Sequence, residues 1–428
     1  MRFALINPPW DFRDSIYFGC QEPHLPLEFG YAKAALEAEG HEALTIDGQL
    51  GGKTLEDIRC AVAGMKPDFT VVTTAPSYLF WRCAPPELRI PQLTIGALGR
   101  DAGTVVVVGP HGSTTPAAAL NKLAADVVIL GEPEEILPRL TSSWSEIPSI
   151  CYRSGDEVVI RGGPHYSDMQ KLPGLRWPDE YVNRHSHHHH RFEATPERPG
   201  AEVEASRGCP YSCTFCAKEN FRNKYRRRPT GVVVDEMAAL IEQGVEYIYF
   251  IDEIFLPQKD LLRALANLDV KIGIQTRIDL WNEETLDMLA AAHCVSVEAG
   301  VESITESGRE YLDKKCRMDT SELADRLMYA KRKIPFVQAN LIRVDEDDDQ
   351  EVERWREQLI ASGVWANKPV PLFPYPGSPE YTRRWGQPDD LAWERAHAHY
   401  LGDFESFSDI QSAQPAPLTQ LELPRNAR

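Results

Sequence analysis

Cys209, Cys213 and Cys216 lie in the run Ser206-Arg-Gly-Cys-Pro-Tyr-Ser-Cys-Thr-Phe-Cys-Ala217, a C-x3-C-x2-C triplet. Three thiolates at this spacing can hold three corners of a 4Fe-4S cube and leave the fourth iron without a protein ligand. An open iron can bind a small molecule and pass it an electron. The protein tunes such a cluster through its ligands, hydrogen bonds and burial. The alternative is a structural zinc site, which normally takes four protein ligands in a closed tetrahedron. The other six cysteines, at positions 20, 60, 83, 151, 294 and 316, are scattered singly and supply no second CxxC. The run His187-His188-His189-His190 could provide a fourth ligand, so zinc stays open while the iron–sulfur reading is favoured.

The elements that must position this triplet form two alternating patterns. A chain of 428 residues is too long for one ordinary core, which predicts two or three domains. Over residues 1–145 the strand candidates are 2–7, 42–47, 69–74, 104–109 and 125–130, each short and rich in Val and Ile. Helical patterns at 28–39, 54–64 and 115–123 lie between them. Such alternation predicts a parallel, doubly wound sheet that binds ligands beyond the carboxyl ends of its strands. Those ends carry Asn7-Pro8-Pro9-Trp10, Thr74-Ala-Pro-Ser77, Gly109-Pro-His111-Gly112 and Gly131-Glu132-Pro-Glu134. No G-x-G-x-x-G follows the first strand, which argues against a nicotinamide dinucleotide.

Residues 146–200 read as a connector with a hairpin at 150–160 and then proline-punctuated chain. Its stretch His185-Ser-His-His-His-His-Arg191 is read as a loop facing the substrate, with metal ligation or proton relay as alternatives. From residue 201 strand candidates recur at 202–206, 246–251, 270–275, 294–299, 336–343 and 366–373. Helices are expected at 232–243, 259–267, 283–291, 320–332 and 350–361. Six βα units are too few for a closed eight-fold barrel, and the triplet follows the first of them, at the end where barrel chemistry is found. Residues 383–428 read as a polar tail that caps the barrel or is partly disordered.

The triplet, with Phe215 before its last cysteine, resembles the signature of the radical S-adenosylmethionine enzymes. The four strand-end segments resemble the cobalamin-binding domain that precedes the radical module in one branch of that family. The segment Pro374-Tyr-Pro-Gly-Ser-Pro379 resembles that branch as well. The resemblance implies an α/β chain, with an N-terminal doubly wound, Rossmann-like cobalamin-binding domain (1–145) followed by a partial (β/α)6 radical barrel (201–382). The cysteines would hold the cluster. Phe215, Asp252, Glu253, Arg277, Glu298 and Ser303 would contact S-adenosylmethionine. Asn7, Pro8, Thr74, Ser77, Trp81, Arg82, Gly109, His111, Gly131 and Glu132 would contact cobalamin, with Trp81 and Arg82 under the corrin. The D-x-H-x-x-G motif that supplies a histidine to cobalt is absent. Arg277 could instead brace Glu298 or Asp279, and Glu253 could face solvent. The acidic run 345–349 is read as a solvated helix start. The six cations from Lys218 to Arg228 are read as bracing the loop, with binding of an anionic substrate or electron donor as the alternative.

In the mechanism this implies, one S-adenosylmethionine methylates cobalamin, and cleavage of a second gives the radical that takes hydrogen from substrate. A methyltransferase acting on an unactivated carbon of a small or sugar-like metabolite is expected. A cobalamin-dependent cyclase or rearrangement enzyme is one alternative, and a metal- or redox-sensing protein is another. A net charge of -18 and a pI near 5.2 argue against a nucleic-acid partner and an anionic membrane surface. No run is apolar enough to span a bilayer, and the start Met-Arg-Phe-Ala-Leu-Ile-Asn-Pro-Pro-Trp lacks a secretory h-region. Unpaired cysteines suit a reducing cytoplasm, where flavodoxin or ferredoxin would be the electron donor.

Overall fold

A computed structural model describes residues 1–17, 22–77, 84–186, 199–218, 222–404 and 414–423. The first domain is built on β1 (Arg2–Asn7), β2 (Glu42–Asp47), β3 (Phe69–Thr73), β4 (Thr104–Val108) and β5 (Val127–Ile129). These run parallel in the order β2-β1-β3-β4-β5. Because β1 lies between β2 and β3, the winding reverses there and opens a crevice at the carboxyl ends. Alternation along β1 sends Phe3 and Leu5 to one core and Ala4 and Ile6 to the other, as a sheet covered on both faces requires. The hairpin β6 (Ile150–Ser154) and β7 (Glu157–Arg161) adds antiparallel to β5, so the first sheet extends past residue 145 into the expected connector.

The second domain is an all-parallel sheet of six strands in the order β15-β14-β13-β12-β11-β8. They are β8 (Gly200–Val203), β11 (Tyr247–Phe250), β12 (Lys271–Thr276), β13 (Cys294–Glu302), β14 (Phe336–Leu341) and β15 (Trp365–Ala366). A two-residue ladder, β9 (Ser206–Arg207) with β10 (Arg226–Arg227), brackets the cysteine loop. Local sequence sets the helix boundaries: Asn282 caps Glu283–Ala291 by accepting from Thr285 N, and Asp319 caps Thr320–Lys333 through Glu322 N. The strand expected at 366–373 ends at Ala366, where Lys368, Pro369 and Pro371 interrupt pairing, and only a bridge from Ile342 to Val370 continues it.

One apolar cluster runs from the inner face of the first sheet through Leu172 and Leu175 into the barrel, so the two domains share a core. The described tail packs on the first domain, where Trp393 lies against His111 at 4.4 Å between ring centroids. Lys122 pairs with Glu394 and Glu422 at 2.9 and 3.0 Å. The loop after β5 passes so close to residue 165 that a Cβ on Gly131 would lie 2.3 Å from the His165 carbonyl oxygen, and Gly131 has φ +83°. Gly131→Ala is therefore expected to destabilise the fold by about 2 kcal/mol or more, read as a lower denaturant midpoint at unchanged slope.

Candidate functional site

The cysteine loop leaves β9 at the carboxyl end of the first barrel strand and is held from several sides. Asp252, just past β11, accepts from Ala205 N at 2.8 Å and from the Ser206 hydroxyl. Burial pushes its carboxyl up to about 7. Glu253 accepts from Gly208 N at 2.8 Å and pairs with Arg222, so it does not face solvent. Lys218 Nζ donates to Cys209 O at 2.7 Å, Thr214 N to Leu312 O at 3.0 Å, and Glu380 N to Thr214 O at 2.8 Å. At Gly208, φ is +80° and a Cβ would sit 2.2 Å from Lys224 O, so the loop can pass only with glycine there.

Cys209, Cys213 and Cys216 form no disulfide; Cys213 is buried and the other two are half-buried. Burial raises the thiols of Cys209 and Cys213. A metal that takes the thiolates must displace those protons. His187–His190, the suggested fourth zinc ligand, lie outside the described residues, as do Trp81 and Arg82.

Of the residues expected to meet S-adenosylmethionine, Phe215 lies in this loop and Asp252, Glu253 and Arg277 contact it. Arg277 forms a two-pronged pair with Asp279 at 2.7 and 3.1 Å and stacks on Tyr211 at 4.1 Å. Its Nη1 and the Thr214 hydroxyl are buried with no hydrogen-bond partner among the described residues. A buried guanidinium nitrogen left over beside a cysteine loop fits an anionic group such as a carboxylate. Phe215 is half-buried between two of the cysteines. Glu298 is buried on β13, level with Gln275 and Gln338 of the flanking strands. Ser303 donates to Asp347 at 2.8 Å, so the acidic run is not only a solvated helix start: Asp347 turns inward, while Asp348 caps Asp349–Ala361.

At the crevice, the Asn7 amide spans Asp47 and Trp10, both at 2.7 Å, and Pro8 is buried beside it. The Ser77 hydroxyl donates to Glu28 and accepts from Leu27 N. Burial lifts Glu28 to about 8 and Asp47 to about 6, and drops His111 to about 3. The hydroxyls of Thr73 and Thr74 are buried without a partner among the described residues, which fits a large polar ligand over the end of β3. Gly109 has φ +131° at the end of β4. Glu132 is held from three sides: Arg207 reaches it at 3.1 Å, Arg226 at 2.5 Å and Ser167 N at 2.8 Å. Burial opposes its charge, yet these arginines hold its carboxyl down at about 2.

His24, His185 and Glu202, one from each of the first domain, the connector and β8, also meet in the interior, with His24 Nδ1 3.0 Å from Glu202. Leu25 N donates to His185 Nδ1 at 3.1 Å, which leaves the ring proton on Nε2. The three ligand-type atoms lie within 4.8 Å of one another, a spacing that a metal ion could bridge. Sequence reasoning missed Glu28, Asp47 and Arg207.

Residues 203–359 match the family model described as the Radical SAM superfamily, which covers most of the second domain. The chain is 24% identical over 332 residues to an uncharacterized methyltransferase of Pyrococcus horikoshii, covering 73% of this chain and 68% of that one. It is 26% identical over 283 residues to an anaerobic magnesium-protoporphyrin IX monomethyl ester cyclase of Cereibacter sphaeroides, covering 58% of this chain and 44% of the cyclase. It therefore spans under half the length of that relative. The fold is that of the radical S-adenosylmethionine methyltransferase TsrM from Kitasatospora setae: TM-score 0.72 at 18% identity, over 90% of this chain and 76% of TsrM. TsrM itself has been solved with tryptophan and an aza analogue of S-adenosylmethionine, and with cobalamin and a [4Fe-4S] cluster.

The Glu28 carboxyl titrates above an unfolded glutamate, whose value is about 4.3. Its contribution to stability is thus fully present below that value and is lost as pH rises through about 8. Thermal melts from pH 5 to 9 should show this decline in the native chain and a shallower one in Glu28→Gln. Parallel curves would contradict the assignment.

Proposed function

We propose that this chain is a cobalamin-dependent radical S-adenosylmethionine methyltransferase that acts on an unactivated carbon of a small metabolite. The observation that carries the reading is a cysteine triplet at the carboxyl end of a six-stranded parallel barrel, joined through a common core to a doubly wound domain whose strand ends hold buried hydroxyls without a partner among the described residues. Together the three bound groups would supply methyl transfer to a carbon radical, chemistry that no protein side chain provides.

The chain's own residues bind, orient and exclude water. Cys209, Cys213 and Cys216 would hold the cluster, while Asp252 and Glu253 fix the backbone from Ala205 to Gly208 that carries them. Arg277, pinned by Asp279 and Tyr211, offers Nη1 to the carboxylate of S-adenosylmethionine. Thr73 and Thr74 offer hydroxyls to cobalamin at the end of β3, beside the strand-end residues Asn7, Pro8, Ser77, Gly109, His111 and Gly131. No helix among the described residues is long and apolar enough to cross a membrane. A reducing cytoplasm and a one-electron donor such as flavodoxin or ferredoxin complete the proposal. The likeness to a named cyclase favours ring formation as the second reading.

The reconstituted chain, reduced with dithionite under anaerobic conditions with cobalamin and S-adenosylmethionine, is expected to form both 5'-deoxyadenosine and S-adenosylhomocysteine. The first product alone would favour the cyclase reading, and neither would overturn both. Cys213→Ala should abolish both products. Arg277→Ala should weaken S-adenosylmethionine binding about 10- to 100-fold, the value of one or more hydrogen bonds to a charged group. Calorimetry on the unreduced, cluster-loaded protein measures this, and unchanged affinity would refute the assignment.

A further inference from the structure

A chain of buried ion pairs leads from the first domain to the residue before the first cysteine. Glu132, at the carboxyl end of β5, holds Arg226 through both guanidinium prongs at 2.5 and 2.9 Å and Arg207 at 3.1 Å. Glu134 holds the same Arg207 nitrogen at 2.7 Å. Arg207 Nε then reaches Glu204 at 2.9 Å, Glu204 holds Arg222 at 2.9 Å, and Arg222 holds Glu253. Glu253 accepts from Gly208 N, next to Cys209. Arg207 and Arg226 also pair across the β9–β10 ladder that closes the base of the loop. The Arg207, Glu132 and Glu204 side chains have no exposed surface at all.

We propose that Glu132 is a positioning residue for the cysteine loop and not a contact to the corrin: from the first domain it sets the pose of the loop and the electron affinity of the cluster. The inference rests on the function proposed above. Its physical basis is twofold. The Glu132 carboxylate already meets four donors from arginines and a backbone amide, three at Oε2 and one at Oε1, and its side chain has no exposed surface to offer a ligand in the crevice. A buried charge in a low-dielectric interior also acts over a longer distance than one in water. Neutralising Glu132 leaves Arg207 and Arg226 less compensated, and a more positive surrounding favours the reduced cluster.

The test uses the full chain, anaerobically reconstituted with iron, sulfide and hydroxocobalamin, as wild type, Glu132→Gln and Glu132→Asp. A dithionite redox titration followed by electron paramagnetic resonance gives the midpoint potential and the spectral change on adding S-adenosylmethionine. Corrin absorbance gives cobalamin affinity. Glu132→Gln is expected to keep wild-type cobalamin affinity, raise the midpoint potential and diminish the spectral change; Glu132→Asp is expected to restore the potential. Loss of cobalamin affinity with an unmoved potential would overturn the proposal, as would a lower melting temperature with both readouts unchanged. If Glu132→Gln does not fold, Arg226→Lys keeps the charge but breaks the two-pronged grip. It should alter the spectral change, and an unaltered signal would again overturn the role. A wild-type chain that forms no cluster overturns this proposal and the function beneath it together. A wild-type cluster with an unmoved potential in Glu132→Gln overturns the positioning role alone.

Discussion

The buried guanidinium of Arg207 is the point on which the two domains agree. It sits over the Tyr31 ring at 5.1 Å, with Glu132 and Glu134 from one sheet and Glu204 from the other within 3.1 Å. A charge removed from water is tolerable only when paired, and removing one partner of such a pair typically costs about 3–5 kcal/mol. The arrangement is satisfied only when the carboxyl end of β5, the start of the cysteine loop and the Leu27–Ala38 helix that carries Tyr31 are all in place. Apolar burial supplies the drive to fold, but it is not directional. The ion network supplies the register between domains that burial alone leaves loose.

Around that register the barrel stays open. Six parallel strands do not close on themselves, so β8 is an edge of the barrel sheet, and buried groups of the first domain and the connector cover it. Glu202 on β8 meets His24 and His185 there, and Val203 and Ala201 join the common apolar cluster. An uncovered parallel edge would expose backbone polar groups and invite pairing with another chain. The first domain therefore does two jobs with one surface. It shields the edge strand, and it brings its own strand ends toward the loop that carries the cysteines.

Much of this was legible in the sequence because its signals are local. The Val-rich runs became β3 and β4 within a residue of their expected ends, and the helix after Asn282 begins and ends at the residues its cap and its periodicity indicate. The helix Arg89–Leu98 escaped because Pro91 and Gly96 broke the pattern, although a proline is tolerated in a first turn, where its missing N–H has no partner to lose. The described tail, which had no strong period, is held by Trp393 and Glu422 against the first domain, contacts that connect residues some 280 to 330 positions apart. No window of sequence can contain such a pairing.

The sequence by itself determined the chemistry: three cysteines at a spacing fit for an open cluster, strands buried on both faces, and turns and caps written in glycine, asparagine and aspartate. These depend on residue type and on neighbours a few positions away. Only the tertiary structure decided the partners of the charged groups. Asp252 and Glu253 proved to be braces for the cysteine backbone, Arg277 was split between Asp279 and a leftover nitrogen, and Glu132 was turned toward arginines of the other domain. A carboxylate or guanidinium is satisfied by whatever opposite group the fold brings within about 3 Å. That distance is set by the packing of whole sheets, and so it is invisible until the chain has folded.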